Sequence, residues 1–295
     1  MCMQEFGIVR LSLLVVLVLF SVWGIAQHNA TFPTGLNSAL YSETPLIEMQ
    51  SVAVMNSDRQ TSNYKDPFVA FNHKCSFTPK NSGVWRIVGH EYKVWSLRLK
   101  SKGAKAIAIV LSGVKLNAGE RVYIYNNHQV NGFSRNDIPA SGVLPVSFLE
   151  GDEIAIEYHV PLNTPSGTLT IEKVSHAYVD VTSGNGISTH GRIANCYACI
   201  DGDSLQLAKR SVVKVITHRD DGTLFCSGTL INNTAKNAVP YILTAEHCIT
   251  NEDDAARSVF IFNFDNICNT TPAIETFHLH GLGSVPPSHL LVWLL

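Results

Sequence analysis

The stretch "GTLFCSGTLINNTAKNAVPYILTAEHC", residues 222–248, decides the fold of the second half of this chain. Two apolar runs, 224–231 and 241–245, contain the β-branched and aromatic residues that strands favour, and a polar segment separates them. The pattern predicts a β-hairpin, and it places His247 just past the end of the second strand. A lone histidine beside an apolar strand is more often a core or surface residue than a base, so its neighbours have to decide its role.

A cysteine follows this histidine, and another lies on the first strand of the predicted hairpin. Cys226 and Cys248 are 22 residues apart, and in a loop-entropy picture a bridge that closes such a loop contributes roughly 3 kcal/mol. The bridge would hold the turn of His247 rigid. A general base needs that rigidity if it is to stay within hydrogen-bond reach of a nucleophile.

The start of the chain indicates export, which is the condition for such a bridge to persist. Arg10 precedes an apolar stretch of about 15 residues that ends in small residues before Ala26. We predict a signal peptide over residues 1–26, and therefore a secreted protein. The alternative, a transmembrane anchor, is disfavoured because spanning a bilayer takes about 20 apolar residues.

Charge and cysteine content limit the partners. The net charge is -2 with 16% charged residues, and neither half has a long basic or acidic run. Nothing here suggests a nucleic-acid or anionic-membrane partner, so we expect a protein, peptide or small-molecule partner, no nucleic acid and no stable membrane anchor. We also expect a monomer that acts on protein or peptide substrates. The spacing Cys196-x-x-Cys199 would suit zinc or redox chemistry only with a second ligand pair or a cytosolic setting, and neither is present, so we expect no metal and no cofactor.

Alternating apolar and polar residues predict an all-β organisation. The upstream half contains five such runs, at 93–100, 106–111, 121–126, 153–160 and 168–174, while the residues from 27 to about 82 show weak periodicity. These early residues are expected to wrap the sandwich or to stay loose. The Gly/Ser/Thr-rich stretch 182–192 indicates a linker, and further strands are predicted at 211–218, 224–231, 241–245 and 258–264.

The hairpin resembles a known family. Cys226-Ser227-Gly228, followed at this separation by Thr244-Ala245-x-His247-Cys248, is similar to the first β-barrel of the chymotrypsin-like serine proteases, and more closely to the secreted bacterial lysyl endopeptidase group. The resemblance covers about residues 195–268, and the upstream sandwich more weakly resembles the pro-region of such proteases. It implies that His247 is the base of a Ser-His-Asp triad. It also implies the bridges Cys226–Cys248 and Cys199–Cys268, and a partner for Cys196 in a second barrel, so Cys196 is expected to be unpaired here.

The resemblance divides the chain into five parts. We expect a signal peptide (1–26), an N-terminal β-sandwich of the pro-region type (27–181), a linker or processing segment (182–194), the first, incomplete barrel of a two-barrel trypsin-like domain (195–275), and an aberrant or truncated tail (276–295). The tail contains no Asp, Glu, Lys or Arg, which a frameshift or premature stop would explain. An ordinary edge strand is the alternative.

Two triad members have no clear counterpart in the sequence. Asp253 and Asp254 lie in the loop just after His247, where solvated carboxylates are common, and Asp265 has the setting of a strand-end turn residue. Three serines are candidate nucleophiles, but each lacks the sequence context that a nucleophile needs. Ser204 in "DGDS" precedes the histidine, and Ser284 and Ser288 lie in the tail.

The leading hypothesis is thus a secreted serine endopeptidase precursor in which only the triad histidine is present, so the chain as written is expected to be inactive. One alternative is a catalytically inactive protease remnant. The other is a secreted β-sandwich binding module with Trp85, Trp95 and Tyr123 as candidate platforms, although each residue suits a core position better. The substrate preference is not predicted, because the residues that line the specificity pocket would belong to the second barrel.

Overall fold

Antiparallel β-strands form most of this protein, and the predicted all-β class is confirmed. The computed structural model describes residues 33–35, 39–50, 68–181, 208, 210–235, 237, 239–262, 277–280 and 290–294. The upstream strands are β1 (Leu46–Glu48), β2 (Phe68–Phe77), β3 (Val84–Val88), β4 (Tyr92–Lys100), β5 (Ala106–Lys115), β6 (Arg121–Tyr125), β7 (Val130–Ser134), β8 (Leu144–Glu150), β9 (Glu153–Pro161) and β10 (Thr168–Ala177). The later strands are β11 (Val212–His218), β12 (Thr223–Ile231), β13 (Tyr241–Ala245), β14 (Ser258–Phe262), β15 (Phe277–His280) and β16 (Leu290–Leu294).

Helical structure is short. Within the described ranges, the α-helices are α1 (Ala39–Glu43) and α2 (Glu252–Ala256), and a 3-10 turn covers Arg135–Asp137. Among the described residues, no helix has the length and apolarity to cross a bilayer. The signal peptide predicted over residues 1–26 lies outside the described part of the chain.

The upstream strands form a β-sandwich. One sheet has the order β1-β4-β9-β6-β7, with β3 beside β1 on the edge of β4 opposite β9, and the strands β2-β10-β5-β8 face this sheet. Its core contains apolar residues that recur at every second position of both sheets, including Leu97 and Leu99 of β4 and Ile107, Ile109 and Leu111 of β5. Because successive side chains of a strand point to opposite faces, the apolar residues that alternate in the sequence all face this core.

The second sheet does not stop at the sandwich. Its order is β15-β14-β11-β12-β2-β10-β5-β8, because the start of β12 pairs with β2 through Thr223↔Ala70 and Leu224↔Phe68. The sheet curls until β14 contacts β8, and it encloses a second apolar cluster. The small residues Ala106 and Ala108 of β5 face this cluster, so β5 is buried on both of its faces.

The later strands continue the same sheet around His247. β13 pairs with β12, β16 pairs with β13, and β15 pairs with β14, all antiparallel. Two segments of the tail, 277–280 and 290–294, are strands; whether the tail is aberrant or truncated stays a prediction. All elements above belong to one unit, Thr34–Leu295.

Candidate active site around His247

His247 lies in a tight turn directly after β13, where the sequence predicts it. The backbone amide of Cys248 donates to the carbonyl oxygen of Ala245 at 3.0 Å, which closes the turn. The His247 side chain is exposed, whereas the next two residues, Cys248 and Ile249, are buried in an apolar cluster. The chain thus presents an imidazole to solvent from a backbone that is anchored in the core.

A disulfide fixes this turn to the neighbouring strand. Cys226 of β12 and Cys248 are joined, with their Cα atoms 6.0 Å apart, within the range that an unstrained bridge requires. Thr244 adds a second tie, because its hydroxyl donates to the carbonyl of Ser227 at 2.9 Å. The backbone that carries His247 is therefore fixed to β12 at two points.

Steric crowding explains why the Cys-x-Gly element has a glycine at position 228. A Cβ atom at Gly228 would lie 2.9 Å from Cγ2 of Ile242 and 3.0 Å from Cγ2 of Val213. Real Cβ contacts are longer than this, so a side chain here would push β13 away from β12. Gly228 is paired with Thr244, and the close approach of these strands determines where the His247 turn begins.

Helix α2 stabilises the chain on the far side of the turn. Its N-cap residue Asn251 accepts a hydrogen bond from the amide of Asp254 at 2.8 Å. The buried Asp254 carboxylate accepts in turn from the hydroxyl of Thr250 at 2.6 Å. Asp254 is therefore engaged in capping, and it does not orient the His247 imidazole.

The other candidate acid has a different partner. Asp253 lies 3.0 Å from the guanidinium of Arg257, and its side chain is 85% exposed. Both carboxylates in this loop are accounted for by local structure, in agreement with the view that they are ordinary loop residues. Within the described residues, no hydroxyl or carboxylate hydrogen-bonds to the His247 imidazole.

Several candidates fall on residues that the structure does not describe: Cys196, Cys199, Cys268, Asp265, Ser204, Ser284 and Ser288. The expected bridge Cys199–Cys268 and the unpaired state of Cys196 therefore stay predictions. Cys75 is a free thiol in the described part of the chain, and it donates to the carbonyl of Ile171 at 3.3 Å.

Three potential metal-binding atoms meet at this turn. The sulfur atoms of Cys226 and Cys248 and a ring nitrogen of His247 all lie within 4.8 Å of one another. Both sulfurs are consumed in the disulfide, however, and thiolates are what zinc or copper would need. The cluster shows instead that the imidazole lies against the bridge.

Arg219 is a part of this site that the sequence does not reveal. It follows β11, and its Nη1 atom donates to the carbonyl oxygen of His247 at 3.3 Å. Its Nε atom lies 3.9 Å from the Asp254 carboxylate. The Asp-Gly pair at 221–222 indicates a hairpin end, but no local pattern shows that Arg219, two residues before it, reaches across to the turn of His247.

The aromatic residues of the sandwich were the alternative candidates for a binding role. Trp95 and Tyr123 are buried core residues, with exposed fractions of 0% and 6%, so they are not surface platforms. Trp85 is half-buried and lines a groove of about 600 Å³, where the ammonium of Lys93 lies 5.6 Å from the centre of its ring. Of these three aromatics, only Trp85 could meet a ligand.

Comparison with known proteins agrees with the site. Residues 191–280 match the family model of the lysyl endopeptidase C-terminal domain. No solved structure gives a significant match to this chain. The matched segment contains the hairpin, the disulfide and the exposed histidine, and over these residues the chain is related to the lysyl endopeptidases.

Proposed function

We propose that this chain is part of a secreted serine endopeptidase precursor in which His247 is the general base. The observation that carries the proposal is the exposed imidazole on a turn tied by Cys226–Cys248, within the segment that matches the lysyl endopeptidase domain. Acyl transfer from a serine needs a base that removes the hydroxyl proton and returns it to the leaving amine. The proposal assigns that role to His247, whose exposed side chain could reach a substrate.

The contribution of this chain to the reaction is positioning. The disulfide, the Thr244 hydroxyl and the Arg219 guanidinium hold the chain near His247 at three points, so the backbone there loses little conformational entropy when substrate binds. In this proposal the serine nucleophile and the orienting carboxylate come from residues other than those described around the imidazole.

The upstream half is proposed to be a pro-region. We expect the signal peptide to be removed near Ala26 and the sandwich to be separated by cleavage between about Thr182 and Asn195, where Arg192-Ile193 lies in a Gly/Ser-rich segment. N-terminal sequencing of the secreted enzyme tests this. A mature N-terminus within the sandwich, before Val174, would contradict it.

Activity tests the function itself. Genomic DNA should be read past codon 275 in all three frames, and the longest product should be secreted and assayed with peptide amides. We expect hydrolysis that disappears in His247→Ala and persists in His128→Ala, a matched change of an exposed histidine in the sandwich. Equal activity in wild type and His247→Ala would exclude His247 as the base. Residues 27–295 alone should give no turnover, because no serine in this segment has the sequence context of the triad nucleophile.

A second candidate function has one supporting observation. The groove beside Trp85 combines an aromatic face with the basic side chains of Lys80, Arg86 and Lys93, a combination that suits an anionic ligand with a flat apolar part. A binding module would lose its ligand in Trp85→Ala. If a panel of acidic glycans and peptides gives the same binding to wild type and to this variant, the module function is excluded.

A further inference from the structure

We propose that the sandwich (strands β1–β10) and the later strands β11–β16, here called the His247 half, form an interface that keeps them together after the connecting chain is cut. The junction is defined here as β2, β5, β8 and β10 of the sandwich against β11, β12, β14, Arg257 and the turn 219–222. The partner of the His247 half is thus a second polypeptide of known sequence, the released sandwich. This inference does not require peptidase activity.

The apolar part of the junction is shared by both sides. One cluster combines sandwich residues with residues of β11 and β14, and its members are Val69, Ala70, Ala106, Ala108, Phe148, Ala177, Val181, Ile216, Val259 and Ile261. All of them are at most 7% exposed. Separation would expose this cluster to water from both sides, and burial of apolar area is the main driving force for association.

A buried polar network crosses the same junction. The hydroxyls of Ser175 on β10 and Thr223 on β12 each lie 3.0 Å from Nδ1 of His218, and all three residues are fully buried. Asn72 on β2 continues the network, since it accepts from the Thr223 hydroxyl at 2.8 Å and donates to the carbonyl of Arg219 at 2.7 Å. Groups arranged this way lose their partners when the halves part, which penalises separation.

Charged residues close the rim. Glu172 of β10 accepts from Arg257 at 2.6 Å, and both side chains are about four-fifths buried. Asp220 in the turn bridges two lysines of the sandwich, Lys173 at 2.7 Å and Lys74 at 2.8 Å. The Lys173 ammonium is itself buried and also donates to the carbonyl of His218 at 3.3 Å. The two sides are therefore complementary in charge as well as in shape.

The backbones approach most closely at Gly222. A Cβ atom there would lie 2.9 Å from Cδ1 of Phe68 and 3.0 Å from the carbonyl oxygen of Ala70. Gly222 also has a positive φ of +153°. Asn72 and Arg219 extend this contact to the active-site turn, because the same Arg219 whose carbonyl binds Asn72 donates to the carbonyl of His247. The docked sandwich thus lies two hydrogen-bonded steps from the His247 turn.

The test uses the full secreted chain with a recognition site for a specific endopeptidase inserted within residues 182–190, in a Cys75→Ala background that removes the only sandwich thiol. After cutting, both fragments should co-elute in size-exclusion chromatography at the volume of the uncut chain. Fragments that elute separately at micromolar concentration, with the fold otherwise intact by circular dichroism, would overturn the proposal.

Two pairs of matched variants distinguish weaker association of the fragments from a general loss of stability. Gly222→Ala should weaken the complex about tenfold or more, whereas Gly103→Ala, also at a positive φ (+83°) but with open space at its Cβ, should leave it unchanged. Glu172→Gln should raise the dissociation constant. Glu153→Gln should not, because Glu153 makes an equally buried arginine pair at 3.0 Å inside the sandwich. Equal dissociation within each pair would contradict the proposed interface.

Discussion

Acid should weaken this fold through one fully buried histidine. His218 has no solvent-exposed surface, its Nε2 atom has no hydrogen-bond partner among the described residues, and its Nδ1 faces two neutral hydroxyls. Burial, together with the positive charge of Lys173, lowers the pKa of His218 to about 3. The other groups that face it are the ring of Phe148 from β8 and, beyond Lys173, the carboxylate of Asp220.

The sign and size of the effect follow from proton linkage. A histidine in the unfolded chain has a pKa of about 6.5, so between pH 6.5 and 3 the unfolded state binds more protons than the folded state. The contribution of His218 is therefore fully present above pH 6.5 and is lost as the pH falls toward 3. Between pH 7 and pH 4 the loss corresponds to at most about 3 kcal/mol.

Urea unfolding followed by tryptophan fluorescence at pH 7, 5.5 and 4 measures this loss. Other groups titrate as well, because burial also lowers the pKa values of His73 and His176, whereas Asp220, with its pKa lowered to about 2 by Lys173 and Lys74, acts mainly below this range. The comparison is therefore with His218→Asn, which keeps a polar atom near Nδ1 and does not titrate, and with His128→Asn at an exposed position. If wild type and His218→Asn lose the same free energy of unfolding between pH 7 and pH 4, the reasoning is wrong.

Three further outcomes are expected. Replacing Cys226 and Cys248 together by alanine should lower the free energy of unfolding by about 3 kcal/mol in urea titrations, and a change near zero would show that the bridge does not restrict the unfolded chain. Burial and the nearby Glu172 raise the pKa of the Cys75 thiol to about 12, so iodoacetamide at pH 8 should modify it only after denaturation, and rapid labelling of the native protein would contradict its placement. Glu157→Gln should cost about 2–3 kcal/mol, because this buried carboxylate accepts hydrogen bonds from the backbone, a tyrosine and a histidine, and a cost below about 0.5 kcal/mol would refute that role.

The strands in which large apolar residues recur at every second position could be predicted from the sequence, even where, as in β9, both faces are buried. β9 is expected at 153–160 and observed at Glu153–Pro161, and β13 is expected and observed at 241–245. In each, alternation between core and outer face survives in the residue order. The hairpin of β12 and β13, and with it the place of His247, could be predicted for the same reason.

β2 could not be predicted, although it carries the junction. It lies between β10 and β12, so its first half is buried on both faces, and the period-two signal is absent from "FVAFNHKCSF". β8 also lacked a clear signal, because Pro145 interrupts its pattern. Proline is tolerated there because β8 is the terminal strand in the order of its sheet.

The buried polar residues show a different limit of sequence reasoning. Glu157 and His159 interrupt the apolar pattern of β9, and nothing in their spacing shows that they bond to each other at 2.7 Å or to Tyr125 of β6. Burial alone would raise the pKa of Glu157, yet hydrogen bonds, first from His159 and then from Tyr125, hold it below its usual value. Hydrogen-bond partners such as Tyr125 come from other parts of the chain, so the local sequence around Glu157 does not predict them.

The two-sided burial of β5 and β10 has a consequence for the proposed processing. Their outer faces, with Ala106, Ala108 and Ala177, pack against Ile216 and the strands of the His247 half rather than against water. A pro-region that only carried the enzyme through export could present a polar face there, and it would leave when its peptide bond was cut. Here release also requires breaking the β2–β12 pairing and exposing Ser175 and His218. In the proposed processing, cleavage and release are therefore separate steps, and the second step, unlike the first, should become easier as the pH falls and His218 takes up a proton.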